Sequence, residues 1–369
     1  MSNDFPLHSR YQQQFAKAGG PLLGWYDANA RILPWRETPL PYYVWISEIM
    51  LQQTRVEAVK PYFDRFITAL PDIPSLSRAP EELLLKLWEG LGYYNRVRNL
   101  NKAAQIVVKE YNSQLPPSFE KLLQLPGIGR YTAGAVASIA YGLPVPAVDG
   151  NVLRVVCRCL EIEEDIAKES TKRAMESLLL SLIPQERPGA YNQALMELGA
   201  TVCLPNGAPK CLICPLRELC LANRSGLQNA YPVKSPKKAR VWEEKTLFLL
   251  FCGKNIALCR RPKTGLLAGM WEFPGVPGFL SEAEASDYLS SLSLHFSPLH
   301  ELPPSVHIFT HKEWHMKAYA AVLKENFPIP GWEWHPLNTV LRELALPSAF
   351  RTYKALMTEL CRELEKEPQ

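Results

Sequence analysis

The chain has no uninterrupted apolar stretch long enough to span a bilayer, and its start, MSNDFPLHSR, lacks the apolar core of a secretion signal. Those absences point to a soluble, intracellular protein. Charge of one sign is scarce too. Lys and Arg number 41 against 37 Asp and Glu, a formal +4, so any surface for a polyanion has to be local. A disulfide framework is not indicated: nine cysteines inside a cell argue for metal binding wherever several fall at ligand spacing. What is present suits a folded soluble protein. The 369 residues are enough for two domains, and 47% hydrophobic content is enough for each to bury a core.

The densest pattern lies in residues 125–154, LPGIGRYTAGAVASIAYGLPVPAVDGNVLR. Ser118 reads as the N-cap of a helix carrying Leu122, Leu123 and Leu125, which Pro126-Gly127 ends. Gly127-Ile128-Gly129 is then a turn whose two glycines can both take positive φ. A second helix follows, with Ala133, Gly134, Ala135 and Ala137 small enough for close packing. Bare amides at its N-terminus suit a phosphate. Past Pro144-Val145-Pro146, Asp149-Gly150-Asn151 delivers a carboxylate on a loop near that turn. Two glycines alone would more often mark a simple helix-turn-helix corner.

Upstream, residues 10–36 read as a helix running into an irregular segment, with Pro34 and Pro39 leaving Trp35, Arg31 and Arg36 exposed. Packing of the ring and solvation of the arginines is the default, and a base-binding pocket the alternative. Ile46, Ile49, Met50 and Gln53 fall at helical spacing around Glu48. If that carboxyl is desolvated, its pKa rises and it can keep a proton near neutrality. In residues 88–98, WEGLGYYNRVR, the tyrosines and arginines fit either a core cap or a loop that inserts an aromatic into a base stack while cations hold phosphates.

Residues 170–202 read as further helices leading to Cys203, Cys211, Cys214 and Cys220, spaced C-x7-C-x2-C-x5-C. Four cysteines so close are a metal site, zinc or an iron–sulfur cluster, with Lys210 and Arg217 placed to meet phosphates. Cys157, Cys159, Cys252, Cys259 and Cys361 read as unligated, mostly core. Residues 223–240 are a basic connector without hydrophobic period. Residues 245–251 and 256–258 then alternate as strands joined at Gly253-Lys254-Asn255, and residues 307–317 read as a hairpin. Its three histidines have few acidic partners, so metal is the minor reading there.

LPGIGRYTA followed by VDGNVLRV resembles the helix-hairpin-helix motif and catalytic aspartate loop of base-excision DNA glycosylases, the endonuclease III and MutY branches nearest. The resemblance extends over about residues 10–222, and residues 245–365 resemble the recognition domain of the MutY family. It implies an α-helical glycosylase domain with a helix-hairpin-helix and an iron–sulfur loop in residues 1–222, a linker in 223–244, and an α+β MutT-like (Nudix-fold) domain in 245–369. SEIMLQQT implies Glu48 as general acid, and Gln53 and Thr54 on the DNA. Asp149 would stabilise or trap the sugar, with Asn151 orienting it or a water. Arg31, with Leu33, Trp35 and Arg36 of the LPWR stretch and Gln193, would surround adenine. Tyr93, Arg96, Gly127 and Gly129 would meet DNA. Phe309-Thr310-His311 stands where MutY proteins carry Phe-Ser-His to read 8-oxoguanine, and the four cysteines would hold a 4Fe–4S cluster in a loop one residue longer than usual.

After LPGxGR the bifunctional branch has a Schiff-base lysine. Tyr131 stands here and cannot form an imine, so the resemblance implies hydrolysis without efficient strand cleavage. Residues 266–275 resemble the start of a MutT-like domain, but the glutamate-rich REUXEEXGU core is missing, which implies the fold without the hydrolase. The expected protein is thus a monomeric, monofunctional adenine glycosylase on duplex DNA with adenine opposite 8-oxoguanine or guanine. Its rivals are an endonuclease III-like enzyme for oxidised pyrimidines, a non-catalytic lesion-binding scaffold, and a nucleotide hydrolase with a DNA-binding appendage.

Overall fold

Helical apolar spacing in the first part of the chain is met by helices, and the alternation after residue 240 by strands. The computed structural model describes residues 9–236 and 239–364; the N-terminal octapeptide, Lys237 and Lys238 of the basic connector, and residues 365–369 lie outside the described residues. The chain divides into two units, Met1–Arg78 with Asn99–Pro236, and Ala79–Arg98 with Lys237–Gln369. Among the described residues no helix is long and apolar enough to cross a membrane.

The first unit is all-helical: α1 (Ser9–Ala16), α2 (Gly19–Asn29), α3 (Pro34–Glu37), α4 (Pro41–Leu51), α5 (Val56–Ala69) and α6 (Ile73–Arg78). After α7 (Glu81–Leu87), which groups with the second unit, α8 (Asn95–Glu110) leads back to α9 (Phe119–Leu123), α10 (Arg130–Tyr141), α11 (Gly150–Leu160), α12 (Glu169–Leu180), α13 (Pro188–Thr201) and α14 (Leu221–Ser225). The apolar stripe of α11 packs with α13, Leu22 of α2 and Met175 of α12 in one core. Ser118 caps α9 as expected, accepting from the Lys121 amide at 3.3 Å.

Several local expectations need correction. The first helix is broken after Ala16, and Pro34 starts a helical turn instead of breaking one, because the first helical position needs no N–H. Trp35 is buried, edge-on to Phe63 with ring centroids 5.2 Å apart. The helix expected to reach Gln53 stops at Leu51, and Gln53 takes the left-handed conformation, φ 59°. Of the two hairpin glycines only Gly127 has positive φ, 77°; Gly129 is the extended N-cap of α10 at φ −88°. Asp149 is itself the N-cap of α11.

The second unit carries a seven-stranded mixed sheet of order β3-β2-β1-β6-β5, with β4 paired to β1 and β7 to β2. Its strands are β1 (Val241–Cys252), β2 (Asn255–Arg260), β3 (Trp271–Glu272), β4 (Gly275–Pro277), β5 (His300–Ile308), β6 (Lys312–Val322) and β7 (Trp332–Pro336). Only β1 and β6 run parallel, and β5 and β6 form the expected hairpin. Alternation decides the two faces. Leu247, Leu249 and Phe251 pack with Trp314 and Tyr353, whereas Phe248 and Leu250 pack with Tyr319 and Leu289. Leu289 belongs to α15 (Glu282–Ser291), whose Glu284 is used in a capping box with Ser281.

Candidate active site

Burial on α4 is what makes Glu48 unusual. Its helix is apolar nearly all round, and the carboxyl is 6% exposed. Tyr131, in the first turn of α10, donates its hydroxyl hydrogen to Glu48 Oε2, and Met196 Sδ lies 3.7 Å from the same hydroxyl. Burial pushes the Glu48 pKa up to about 7; the Tyr131 hydrogen bond and Arg36 oppose this, and the like charge of Asp149 adds to it. Tyr131 stays a phenol, driven far above its ordinary value first by burial and then by the two carboxyls.

Asp149 is held differently. Its Oδ1 accepts from the amides of Asn151 (2.9 Å) and Val152 (2.8 Å), and its Oδ2 from Asn151 Nδ2 (2.7 Å). Burial raises its pKa above the usual carboxylate value, while these three donors and Arg154 pull the other way. Asn151 is fixed in turn: Arg154 Nη2 donates to Asn151 Oδ1 and to the Gly199 carbonyl, both at 2.8 Å, and Arg154 Nε to the Cys203 carbonyl at 2.7 Å. One guanidinium therefore joins the aspartate's neighbour to the start of the cysteine loop.

Arg31 and Arg36 do not hang free in solvent. Both are ion-paired to Glu197 of α13, Arg31 Nε to Oε1 at 2.5 Å and Arg36 Nη2 to Oε2 at 2.9 Å. Burial works to raise the Glu197 pKa, but the two guanidiniums outweigh it and hold the carboxyl below its ordinary value. Glu197 was not singled out from sequence, although the signal that exposed Glu48, an acid inside a buried helical run, was present in NQALMELGA.

These groups line one pocket. Around it stand Glu48, Asp149, Tyr131 and Asn151 together with Arg31, Leu33, Trp35, Arg36, Gln193 and Thr54, and also Met196 and Glu197. It can therefore take a flat heterocycle between apolar walls, with an acid and a carboxylate at hand.

Other expected site residues lie elsewhere. Gln53 follows α4 directly in its left-handed conformation. Gly127 packs on Asn99 so closely that a Cβ would come within 2.7 Å of Asn99 Cβ, whereas nothing lies within 4 Å of one on Gly129. In the second unit Tyr93 is 47% exposed at φ 47° while Tyr94 is buried. The Tyr93 hydroxyl meets that of Thr310. Arg96 turns inward, against the expectation of a phosphate-gripping cation: it donates to the Leu91 (3.0 Å) and Gly92 (3.1 Å) carbonyls, and its guanidinium is 5.6 Å from the Tyr93 ring. Phe309 packs edge-on to His307 and Trp314, with Thr310 and His311 exposed at the β5–β6 turn.

Cys203, Cys211, Cys214 and Cys220 surround a second pocket of about 390 Å³. Among the described residues no three His, Cys, Asp or Glu side chains are grouped as they would be around one metal ion. Arg158 donates to Cys203 Sγ (3.3 Å) and to the Leu204 (2.8 Å) and Tyr231 (3.0 Å) carbonyls, tying α11 to the loop. Of the cysteines expected in cores, Cys157, Cys159 and Cys361 are buried, and Cys159 lines this pocket.

Residues 46–180 match the HhH-GPD superfamily of base excision DNA repair proteins, and residues 246–356 match the NUDIX domain. The chain is 35% identical to the adenine DNA glycosylase of Rattus norvegicus, covering 94% of this chain and 80% of the relative. It is equally 35% identical to that of Homo sapiens, over 93% and 75%. Among solved structures it is similar to a thermostable thymine-DNA glycosylase, TM-score 0.51 at 27% identity, over 58% of this chain and 98% of that one. A trapped endonuclease III–DNA covalent intermediate gives TM-score 0.51 at 26% identity, with the same coverage.

Proposed function

The chain belongs to the adenine DNA glycosylase family, base-excision repair hydrolases of N-glycosyl bonds, and from that premise we propose that it removes adenine mispaired with 8-oxoguanine or guanine in duplex DNA without cutting the strand. One observation carries the proposal: a carboxyl that burial keeps protonated near pH 7 and an oriented carboxylate share one pocket.

Glu48 is the general acid. Tyr131 occupies Oε2, so the transferable proton sits on Oε1 and passes to a ring nitrogen of adenine as the bond from nitrogen to C1′ breaks. Asp149 stabilises the oxocarbenium-like sugar, or traps it covalently, and a water completes hydrolysis to free adenine and an abasic site. Asn151 keeps the aspartate aligned. Tyr131 has no amine for a Schiff base, so the strand stays intact. Arg31 and Arg36, pre-set by Glu197, with Leu33, Trp35 and Gln193, form the adenine pocket. Extruding the base costs a few kcal/mol. Insertion of Tyr93 and of Gln53, contact of Thr54 with the DNA, and backbone amides at Gly127 and Gly129 on a phosphate offset that cost, and Arg96 supports the Tyr93 loop.

Phe309, Thr310 and His311 read the opposite 8-oxoguanine. Residues 1–222 would do the chemistry, 245–369 read the partner base and 223–244 connect them, in a monomer. Cys203, Cys211, Cys214 and Cys220 line one pocket, and four thiols are the donor set that an iron–sulfur cluster takes. Cys203, Cys211, Cys214 and Cys220 would hold a 4Fe–4S cluster, which when bound supplies a covalent tie for the loop.

A panel of duplexes tests this reading: adenine opposite 8-oxoguanine or guanine, and an oxidised pyrimidine opposite guanine, each resolved with and without alkali. The expected result is adenine-strand cleavage only after alkali. Cleavage without alkali, or activity confined to the oxidised pyrimidine, would overturn it.

A further inference from the structure

Asn151 supplies two of the three hydrogen bonds from neighbouring groups that hold the Asp149 carboxylate. Its own position is set by what lies behind it. Gly199, on α13, approaches so closely that a Cβ there would lie 2.5 Å from Asn151 Cβ, 3.0 Å from its Cα and 3.1 Å from its carbonyl oxygen. Backbone conformation does not demand glycine here, since Gly199 is inside a regular helix without positive φ. A helical glycine in fact costs about 1 kcal/mol against alanine. Gly134 and Gly189 are also crowded, but by the backbones of Pro146 and Ser138, neither of which bonds the carboxylate. At Gly199 the crowded neighbour is the residue that touches Asp149, and the same Arg154 Nη2 bonds both the Gly199 carbonyl and Asn151 Oδ1.

We propose that Gly199 is a positioning residue for adenine release: its missing side chain seats Asn151, and Asn151 seats the Asp149 carboxylate. The proposal rests on Asp149 being the carboxylate that serves the sugar. A methyl group at position 199 pushes Asn151 outward and lengthens its two bonds to Asp149. Those bonds hold the Asp149 pKa down, so their loss moves it up and leaves the carboxylate misaligned.

The test is Gly199→Ala in the full-length protein, read by single-turnover adenine release across pH, with DNA affinity measured on a duplex carrying an uncleavable adenine analogue. The expected result is a rate lower by on the order of tenfold or more, an acid limb displaced to higher pH, and unchanged affinity. In an Asn151→Gly background the 2.5 Å contact is gone while those to the backbone at 3.0 and 3.1 Å remain, so Gly199→Ala should cost less further rate than it does in the wild type. An unchanged rate and pH profile in Gly199→Ala, or an equal additional loss in the Asn151→Gly background, would overturn it. If Gly199→Ala does not fold, Asn151→Ala tests the second link: a slower rate with the acid limb at higher pH supports the proposal, and an unchanged rate and pH profile contradicts it. Asp149→Asn separates the two levels. Full activity in that variant defeats the reading of Asp149, whereas its inactivity beside a normal Gly199→Ala defeats only the role of Gly199.

Discussion

Glu48 shows how one buried atom group ties chemistry to stability. The folded protein keeps its proton up to about pH 7, against an ordinary 4.5, so folding takes up a proton between those values. The group's contribution to stability is complete below pH 4.5 and is lost as pH rises through 7. Glu48→Gln carries no charge at any pH. It should be more stable than the wild type at pH 8, by about 3 kcal/mol, and nearly equal at pH 4.5, as denaturant titration at the two pH values would read. A difference independent of pH would contradict the burial argument. Glu48 was legible because an acid inside an apolar helical run is rare enough to stand out. Glu197 carried the same signal and was passed over, because its partners, Arg31 and Arg36, are more than 160 residues away in sequence. Trp35 packs as the default reading of the ring has it, despite the exposed look its proline neighbours give it: α5 brings Phe63 against it.

At the level of elements, the hairpin before α10 and the N-terminus of α11 do the positioning. Gly127 and Gly129 should respond differently to alanine. Gly127→Ala is strained at φ 77° and collides with Asn99, so it lowers thermal stability. Gly129→Ala should leave stability intact and still weaken DNA binding, since only an incoming phosphate would meet the new methyl group. Equal melting losses in the two variants would sink this distinction. The turn itself was legible from LPGIGR, but the crowding of Gly127 by Asn99 of α8 was not, because no local pattern encodes that contact. Asp149 was placed on a loop, and its role as helix cap follows from the amides of Asn151 and Val152. Arg154 extends that cap toward the cysteine loop. Arg154→Met leaves the Cys203 and Gly199 carbonyls without their donor, costing about 1–3 kcal/mol, and should lower both iron content and the rate of adenine release. Loss of one without the other would deny the link.

At the level of the molecule, both architectures were legible because each has its own periodicity, 3.6 in the first part of the chain and 2 in the last. The parallel pairing of β1 with β6 was not, since a register such as Val241 with Lys312, between strands far apart in the chain, leaves no mark in either one. Nor was the grouping of residues 79–98 with the second unit, which rests on contacts such as Lys86 Nζ to the Leu341 and Leu344 carbonyls at 2.9 Å. Thr310 and His311 stand exposed at the β5–β6 turn with the Tyr93 hydroxyl on Thr310. Thr310→Ala and His311→Ala should each reduce the preference for 8-oxoguanine over guanine opposite adenine by on the order of tenfold, with adenine release from the guanine mispair little changed. The most direct measurement of the whole account is the pH profile of single-turnover adenine release by the wild type, Glu48→Gln and Asp149→Asn. A rate that falls above about pH 7 in the wild type, is lower and loses that fall in Glu48→Gln, and vanishes in Asp149→Asn, is the predicted result. A wild-type rate flat through neutrality, or a basic limb that survives in Glu48→Gln, would contradict the buried acid at the centre of this site.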